Sequence, residues 1–354
     1  MKIILFFIAL ESLLIFNSSA QDSQLDNNAS MQALYDTAKK QYSTFEKTHG
    51  RFVQTKNVNM HYLTWGNSSN PCLIWAHGSI NNGYELLDIA DYLVKAGFYV
   101  IAIDYYGHGK TAIPNHEVSL YHVADDIKFL MDKLSIKKAY IGGFSRGGYI
   151  ATAFYDAYPQ SVSGLILEDG GSVSSNTYYH KLTSAELYAK AKNFDIKTKQ
   201  PWDTTYNSEF KAYKSLYDKN EKGNQFSILA LIKKNKSERW SIIYSEMMSL
   251  FHLENSQQFL NLTLRPTKVP IFAESMMMME PKIIFRNLDV PVLILDPVSK
   301  NDPMPFEKEN QALKKQHPNY VEYIAYQDTE HNIHYAHPKR FTSDVISFLK
   351  KSLK

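Results

Sequence analysis

The sequence predicts an α/β fold with a mostly parallel central sheet flanked by helices, interrupted by one helical insertion. Short apolar runs bounded by turn residues are typical of buried strands. They are residues 72–76, 99–103, 139–142, 164–167, 292–295 and 321–325. Amphipathic segments of helical length lie between most of them, at residues 84–95, 120–134, 146–158, 306–316 and 338–353. Strand and helix alternate along the chain, as parallel sheets require.

The residues before this alternation predict a different local structure. Residues 51–55 and 58–65 alternate apolar and polar side chains around Lys56-Asn57, which indicates a β-hairpin. Residues 21–44 are polar apart from an amphipathic stretch near 31–42. That stretch predicts a peripheral helix.

Residues 171–288 show only helical patterns, rich in Tyr, Lys and Met. An insertion here lies over the carboxyl ends of the strands, where open α/β sheets bind ligands, so we expect a helical cap. The segment has 17 Lys and Arg against 11 Asp and Glu, which either attracts an anionic substrate or surface or reflects solvated helix faces. Methionines at 247, 248 and 276–279 suit an adaptable apolar pocket or ordinary packing equally well.

The N-terminus predicts export. Lys2, an apolar stretch and the small residues Ser18-Ser19-Ala20 are typical of a secretory signal cleaved near Ala20, leaving a secreted or periplasmic protein. The other interpretation is an uncleaved anchor. No later stretch is apolar enough to span a membrane. The predicted organisation is a signal (1–20), a peripheral segment (21–50), a core in two parts (51–170 and 289–354) and the cap (171–288).

Composition excludes several function classes. A net charge of +3 over 354 residues argues against a dedicated nucleic-acid binder. Cys72 is the only cysteine, so no intramolecular disulfide can form, and its apolar neighbours indicate a buried side chain. No residues have the spacing of a zinc site. We therefore expect neither metal nor cofactor, and the sequence leaves the oligomeric state open.

A candidate nucleophile lies in Gly143-Phe144-Ser145-Arg146-Gly147. A predicted strand enters this segment and a predicted helix leaves it, as in a sharp strand-to-helix turn that exposes a serine hydroxyl. The turn crowds the positions two before and two after the serine. Glycine, which has no Cβ, stands at both.

A serine nucleophile needs a base and an acid that orients the base. His331 follows the last predicted strand, where it could reach Ser145, whereas His334 is a weaker candidate. Asp302 follows the strand at 292–295 and is the preferred acid. Asp169 and Asp296 remain alternatives.

Backbone amides must stabilise the oxyanion that forms on the attacked carbonyl. One is expected from Arg146, the residue after the serine, and the other from Ser79 in the loop after residues 72–76. Gly78 permits the tight backbone there. His77 is expected to be a hydrogen-bonded structural residue.

These segments resemble the α/β-hydrolase superfamily. The matching motifs are His77-Gly78-Ser79, the segment 104–111, Gly143-Phe144-Ser145-Arg146-Gly147-Gly148 and Glu330-His331-Asn332. The resemblance covers roughly residues 51–170 and 289–354 and implies the α/β-hydrolase fold, a lid at the insertion and a Ser145–Asp302–His331 triad. It also makes 104–111 a supporting turn in which His108 has no catalytic role. A serine nucleophile disfavours the superfamily's dehalogenases and epoxide hydrolases, which use a carboxylate.

The sequence thus predicts an exported serine hydrolase that cleaves a carboxylic ester (EC 3.1.1 class) through an acyl-enzyme. The expected partner is a small-molecule ester, lipid-like esters included, with no nucleic acid. One alternative is a peptidase or amidase of the same fold, similar to proline iminopeptidases, which needs an acidic pocket for the substrate amine. The other is a binding protein on an inactive scaffold.

Overall fold

The computed structural model describes residues 26–195, 200–217, 225–300, 302 and 304–353. The predicted signal at 1–20 lies outside the described residues. The described strands are β1 (Gly50–Gln54), β2 (Asn59–Trp65), β3 (Cys72–Ala76), β4 (Tyr99–Ile103), β5 (Ala139–Phe144), β6 (Val162–Glu168), β7 (Thr205–Tyr206), β8 (Ile232–Lys234), β9 (Trp240–Ile242), β10 (Val292–Val298) and β11 (Val321–Gln327).

Eight of these strands form one sheet in the order β1-β2-β4-β3-β5-β6-β10-β11. β2 pairs antiparallel with β1 and with β4. All later neighbours pair in parallel. The predicted α/β class, the parallel core and the N-terminal hairpin are confirmed.

The described α-helices are α1 (Asp26–His49), α2 (Ala90–Lys95), α3 (Leu120–Lys133), α4 (Arg146–Ala157), α5 (Asn176–Tyr179), α6 (Ser184–Lys192), α7 (Glu209–Leu216), α8 (Gln225–Ala230), α9 (Tyr244–Leu250), α10 (Ser256–Leu264), α11 (Ile271–Met277), α12 (Pro281–Ile284), α13 (Glu307–Gln316), α14 (Ile333–Ala336) and α15 (Pro338–Ser352). The predicted helix at 84–95 begins only at Ala90, after a 3₁₀ turn at Gly83–Leu86. None of the helices in these ranges is long and apolar enough to cross a membrane.

Helices cover both faces of the sheet because successive strand side chains point to opposite faces. On one face Ile74, Ile101 and Ile141 pack with α3 and α4. On the other face Trp75 and Val100 pack with α2 and α15. Strands buried on both faces read as continuous apolar runs, which is why the sequence located them well.

The segment 171–288, inserted between β6 and β10, differs from the prediction of helices alone. It contains α5–α12 but also an antiparallel three-stranded sheet in the order β7-β9-β8. Strands of two or three residues are too short to leave a periodic signal in a sequence.

Cys72, the single cysteine, lies buried in β3. Burial raises the pKa of its thiol to about 12.

A partly buried charge network joins α1 to the sheet. Glu46 of α1 hydrogen bonds to Tyr84 and forms ion pairs with Lys110 and with His61. His61 of β2 in turn pairs with Asp104, the residue after β4, at 2.7 Å. Burial lowers the pKa of His61, but the charges of Asp104 and Glu46 outweigh it and raise this pKa to about 9. Burial raises the pKa of Glu46, but its contacts with His61 and Lys110 outweigh it and lower this pKa to about 2.

Replacing Glu46 by Gln is therefore expected to lower the free energy of unfolding by about 1–2 kcal/mol, a partly exposed charge being screened by solvent. The Glu46 contribution is fully present above about pH 4.5 and is lost as the pH falls through 2. The His61 contribution is fully present below about pH 6.5 and is lost as the pH rises through 9. The difference between variant and native protein should thus be largest near pH 5–6.5 in urea denaturation.

Glu117→Gln removes an exposed carboxylate and serves as the control, with no change expected. Equal stability of Glu46→Gln and native protein across this pH range would refute the role of the network.

Candidate active site

Ser145 lies in a strained turn between β5 and α4. Its backbone has φ 53° and ψ −119°, a region that non-glycine residues rarely occupy and that clusters at functional sites. Its amide donates to the carbonyl of Glu168 at 2.8 Å, so the turn is bound to the end of β6. Strain held by surrounding structure keeps the hydroxyl in one position.

The turn depends on glycines at its closest backbone approaches. A Cβ at Gly143 would lie 2.2 Å from the carbonyl carbon of Gly147. A Cβ at Gly147 would lie 1.9 Å from the carbonyl oxygen of Ala76. Both glycines are sterically required, as the sequence predicted.

His331 lies in the loop after β11, against the ring of Phe144, the residue before Ser145. Its Nδ1 hydrogen bonds to the Oδ2 of Asp169. Both side chains are almost fully buried. Within the described chain no hydrogen bond joins Ser145 to His331, and such catalytic bonds commonly tighten only when substrate binds.

The carboxylate that contacts His331 is thus Asp169, in place of the preferred candidate Asp302. Asp169 directly follows β6, which pairs with β5, the strand that leads to Ser145. Its amide donates to the carbonyl of Leu295 in β10 at 3.0 Å. Asp302 lies beyond the end of β10, where it accepts from the Met304 amide at 2.9 Å. Burial and then the Asp169 charge raise the pKa of Asp302 to about 7.

Asp296, the third candidate, is engaged elsewhere. Its carboxylate accepts from Asn310 at 2.9 Å and from the Tyr323 hydroxyl at 2.8 Å. Burial raises its pKa to about 7, with Asp169 as the next cause. These contacts give it a structural role at the β10–β11 edge.

The electrostatic surroundings distinguish the two histidines. Burial lowers the pKa of His331, so the imidazole is neutral and able to accept a proton near pH 7. His334 donates its backbone amide to Glu168 at 2.9 Å and hydrogen bonds to it through Nδ1 at 2.8 Å. Burial opposes protonation of His334, yet the Glu168 charge raises its pKa. His334 is therefore held in a buried ion pair behind the site.

The residues of the two predicted oxyanion donors, Ser79 and Arg146, line one cavity with Ser145. Ser79 follows β3, and Arg146 begins α4. In the described chain neither backbone amide has a hydrogen-bond acceptor. Gly78 allows the loop to approach β5, because a Cβ there would lie 2.5 Å from the Phe144 ring.

Two buried side chains hold this loop. Glu85 accepts from the Gly78 amide at 3.0 Å and from Trp75 Nε1 at 2.7 Å. His108 Nε2 accepts from the amide of Ile80 at 3.2 Å, and Ile80 has a left-handed φ of 57°, which is strained for a β-branched residue. His108 thus acts on the loop through hydrogen bonding, and His77, stacked on Tyr105, is structural as expected.

Arg146 is a buried residue that lines a mostly apolar cavity beside Ser145. The cavity has a volume of about 60 Å³ and is lined by Ser79, Ser145, Arg146, Asp169 and a set of apolar side chains that includes Phe194, Phe259, Leu262, Met276, Met277 and Met304. Most of these apolar residues belong to the inserted segment, which therefore forms part of the pocket wall.

Of the residues that the sequence predicted, Ser79, Ser145 and Arg146 line one cavity, and His331 contacts Asp169 of the same cavity. The sequence did not indicate the buried contacts of Glu85, Glu168 and the Arg146 guanidinium. The signal for Arg146 was its place beside the serine. The sequence could not show which carboxylate contacts His331, because that contact joins loops that are far apart along the chain.

The fold is a mostly parallel sheet between helices, with a serine on a strand-to-helix turn. The sequence model of the family described as alpha/beta hydrolase fold matches residues 71–338. The chain therefore belongs to the α/β-hydrolase family, whose members are hydrolases that include esterases and epoxide hydrolases.

Similar proteins match parts of the chain. An epoxide hydrolase 1 of Caenorhabditis elegans is 27% identical over 130 residues, 35% of this chain and 31% of the relative. A 2-hydroxy-6-oxononadienedioate/2-hydroxy-6-oxononatrienedioate hydrolase 1 of Pseudomonas putida is 32% identical over 135 residues, 36% of this chain and 47% of the relative. The chain thus spans from about a third to a half of the length of these curated relatives.

Among the solved structures that share the fold are two hydrolases. A bacterial membrane phospholipase A has a TM-score of 0.62 at 16% identity, covering 93% of this chain and 97% of that chain. A carboxylesterase from Nitrososphaera gargenis has a TM-score of 0.56 at 17% identity, covering 86% and 99%. At such identities the likeness concerns the fold alone.

If Asp169 orients His331, Asp169→Asn should lower kcat/KM for an ester by about 10⁴-fold, because the amide favours the wrong imidazole tautomer. Asp302→Asn is the matched control and should lower it less than tenfold. Steady-state kinetics on both variants provide the measurement. A larger loss in Asp302→Asn than in Asp169→Asn would return the role to Asp302.

If His331 is the base that accepts the serine proton, the lowered pKa of its imidazole predicts how hydrolysis depends on pH. A protonated imidazole cannot accept the serine proton, so activity falls below the His331 pKa. Because burial lowers this pKa from its ordinary value of 6.5, the acid limb of kcat/KM should lie below pH 6.5. An acid limb with its midpoint at or above pH 6.5, in protein shown by circular dichroism to be folded, would contradict this.

Proposed function

We propose that the protein is a serine hydrolase that cleaves a carboxylic ester through an acyl-enzyme intermediate. The observation that carries the proposal is the buried hydrogen bond between His331 and Asp169 next to the strained Ser145 turn. A nucleophile, a base and an oriented carboxylate are the parts that this chemistry requires.

In the proposed mechanism Ser145 Oγ attacks the ester carbonyl while His331 accepts its proton. The amides of Ser79 and Arg146 stabilise the oxyanion, and Asp169 stabilises the imidazolium. His331 then donates the proton to the departing alcohol. Water, activated by the same imidazole, hydrolyses the acyl-enzyme.

Ester cleavage is favoured over the other activities of the family by two features. The side chain on the turn is a serine, whereas epoxide hydrolases of the superfamily use a carboxylate there. The aminopeptidase alternative needs an acidic group for the substrate amine. Among the described cavity residues, the only carboxylate is Asp169, which is occupied by His331.

The cavity also bears on the acyl group. Its volume of about 60 Å³ is well below the roughly 300–1,000 Å³ of ordinary ligand pockets. We favour a short acyl group over a long lipid chain, with the methionines of the wall adapting to it. Export through the segment 1–20 is part of the proposal, and N-terminal sequencing of protein from the culture medium or periplasm tests it.

A fluorophosphonate probe tests the nucleophile directly. Native protein should be labelled at Ser145, Ser145→Ala should not, and Ser145→Ala should hydrolyse 4-nitrophenyl esters about four to six orders of magnitude more slowly. His331→Ala should lose activity to a similar extent because the hydroxyl has no base.

Ser79→Ala keeps the backbone amide and is the control, for which labelling should persist. Absence of label on folded native protein would refute the serine-hydrolase proposal. Faster turnover of aminoacyl 4-nitroanilides than of esters would replace the esterase by the peptidase.

A further inference from the structure

The Arg146 guanidinium is a buried cation without a matching anion. Its residue is only 4% exposed. The described residues include no carboxylate paired with it, and its Nη1 is buried with no hydrogen-bond partner. A buried charge is costly unless an opposite charge or a full set of hydrogen bonds compensates it.

The contacts that Arg146 does make compensate it only in part. Its Nε donates to the Ser79 hydroxyl at 3.1 Å. The guanidinium lies 3.9 Å from the ring centroid of Phe251 and 5.8 Å from that of Phe272. Cation–π contacts of this kind fix the plane of the guanidinium but leave its remaining donors free.

The guanidinium belongs to a residue that lines the cavity beside Ser145. The charged group that shares the cavity, Asp169, is hydrogen bonded to His331. The only carboxylate of the described cavity lining is thus engaged by His331, and Arg146 is the one cationic residue of that lining.

From this geometry we infer that Arg146 binds a carboxylate on the acyl part of the substrate, so that the preferred ester is a half-ester of a short dicarboxylic acid. The inference rests on the proposed function, because it places the ester carbonyl at Ser145. A guanidinium and a carboxylate match in shape and form two parallel hydrogen bonds. The small cavity suits an acyl chain of about four carbons.

The test compares two methyl esters of matched shape by pH-stat. Monomethyl succinate carries the carboxylate, and methyl 4-methylpentanoate carries two methyl groups in its place. Native protein should show a kcat/KM about 10- to 100-fold higher for monomethyl succinate, as a charge-assisted contact implies. Equal values, or a preference for the neutral ester, would overturn the inference.

Arg146→Met should remove this preference, and Arg146→Lys should keep part of it. The ratio of the two substrates is compared within each variant, so a general loss from a disturbed oxyanion amide cancels. The control Arg265→Gln removes an exposed cation of the inserted segment and should leave the ratio unchanged. Loss of activity on both esters by the same factor in Arg146→Met would mean a structural role only.

Succinate binding gives a readout without turnover. Succinate should raise the melting temperature of native protein and of Ser145→Ala, but not of Arg146→Met. A rise in melting temperature with succinate, without any hydrolysis or fluorophosphonate labelling, would support the anion site and refute the esterase proposal. Hydrolysis of neutral esters, without a rise in melting temperature with succinate, would support the esterase proposal and refute the anion site.

Discussion

The hydrogen bond from the Ser145 amide to the Glu168 carbonyl joins the two parts of the site. It extends the pairing of β5 with β6 by one residue. The Ser145 turn and Asp169 are therefore both held at the carboxyl end of β6. Glu168 itself holds His334 in the segment that follows His331. The end of β6 therefore holds Ser145, Asp169 and the segment that follows His331. The glycines of the turn are the steric condition for this arrangement, because any Cβ there would separate the backbones.

The sequence predicted the strands of the core to within a few residues because their burial on both faces leaves unbroken apolar runs. The run at Cys72–Ala76 matches β3 at both ends. Local motifs such as the Ser145 turn were also readable, since their chemistry lies in neighbouring residues. The partner of His331 was not readable, because Asp169 and Asp302 both follow strands and only the order β5-β6-β10 brings Asp169 beside the nucleophile. The short strands of the inserted segment carried no periodic signal.

The sheet and the inserted segment contribute to the site in different ways, because they are packed differently. Strand ends hold Ser145 and Asp169 by backbone hydrogen bonds, which tolerate little displacement. Side chains such as Met276 and Phe259 of the inserted segment form the cavity wall, where dispersion contacts are weak individually and permit rearrangement. The cation at Arg146 connects the two, since its backbone begins α4 while its side chain stacks on Phe251 of the inserted segment.

The buried thiol of Cys72 has a practical consequence. The chain has no other cysteine, and a thiol with a raised pKa inside the sheet reacts slowly with maleimides. A cysteine introduced at an exposed position, such as Tyr188 on α6, would therefore be the one thiol that a fluorophore labels. The distance between such a dye and a tryptophan of the core would report whether the inserted segment moves when a ligand enters the cavity.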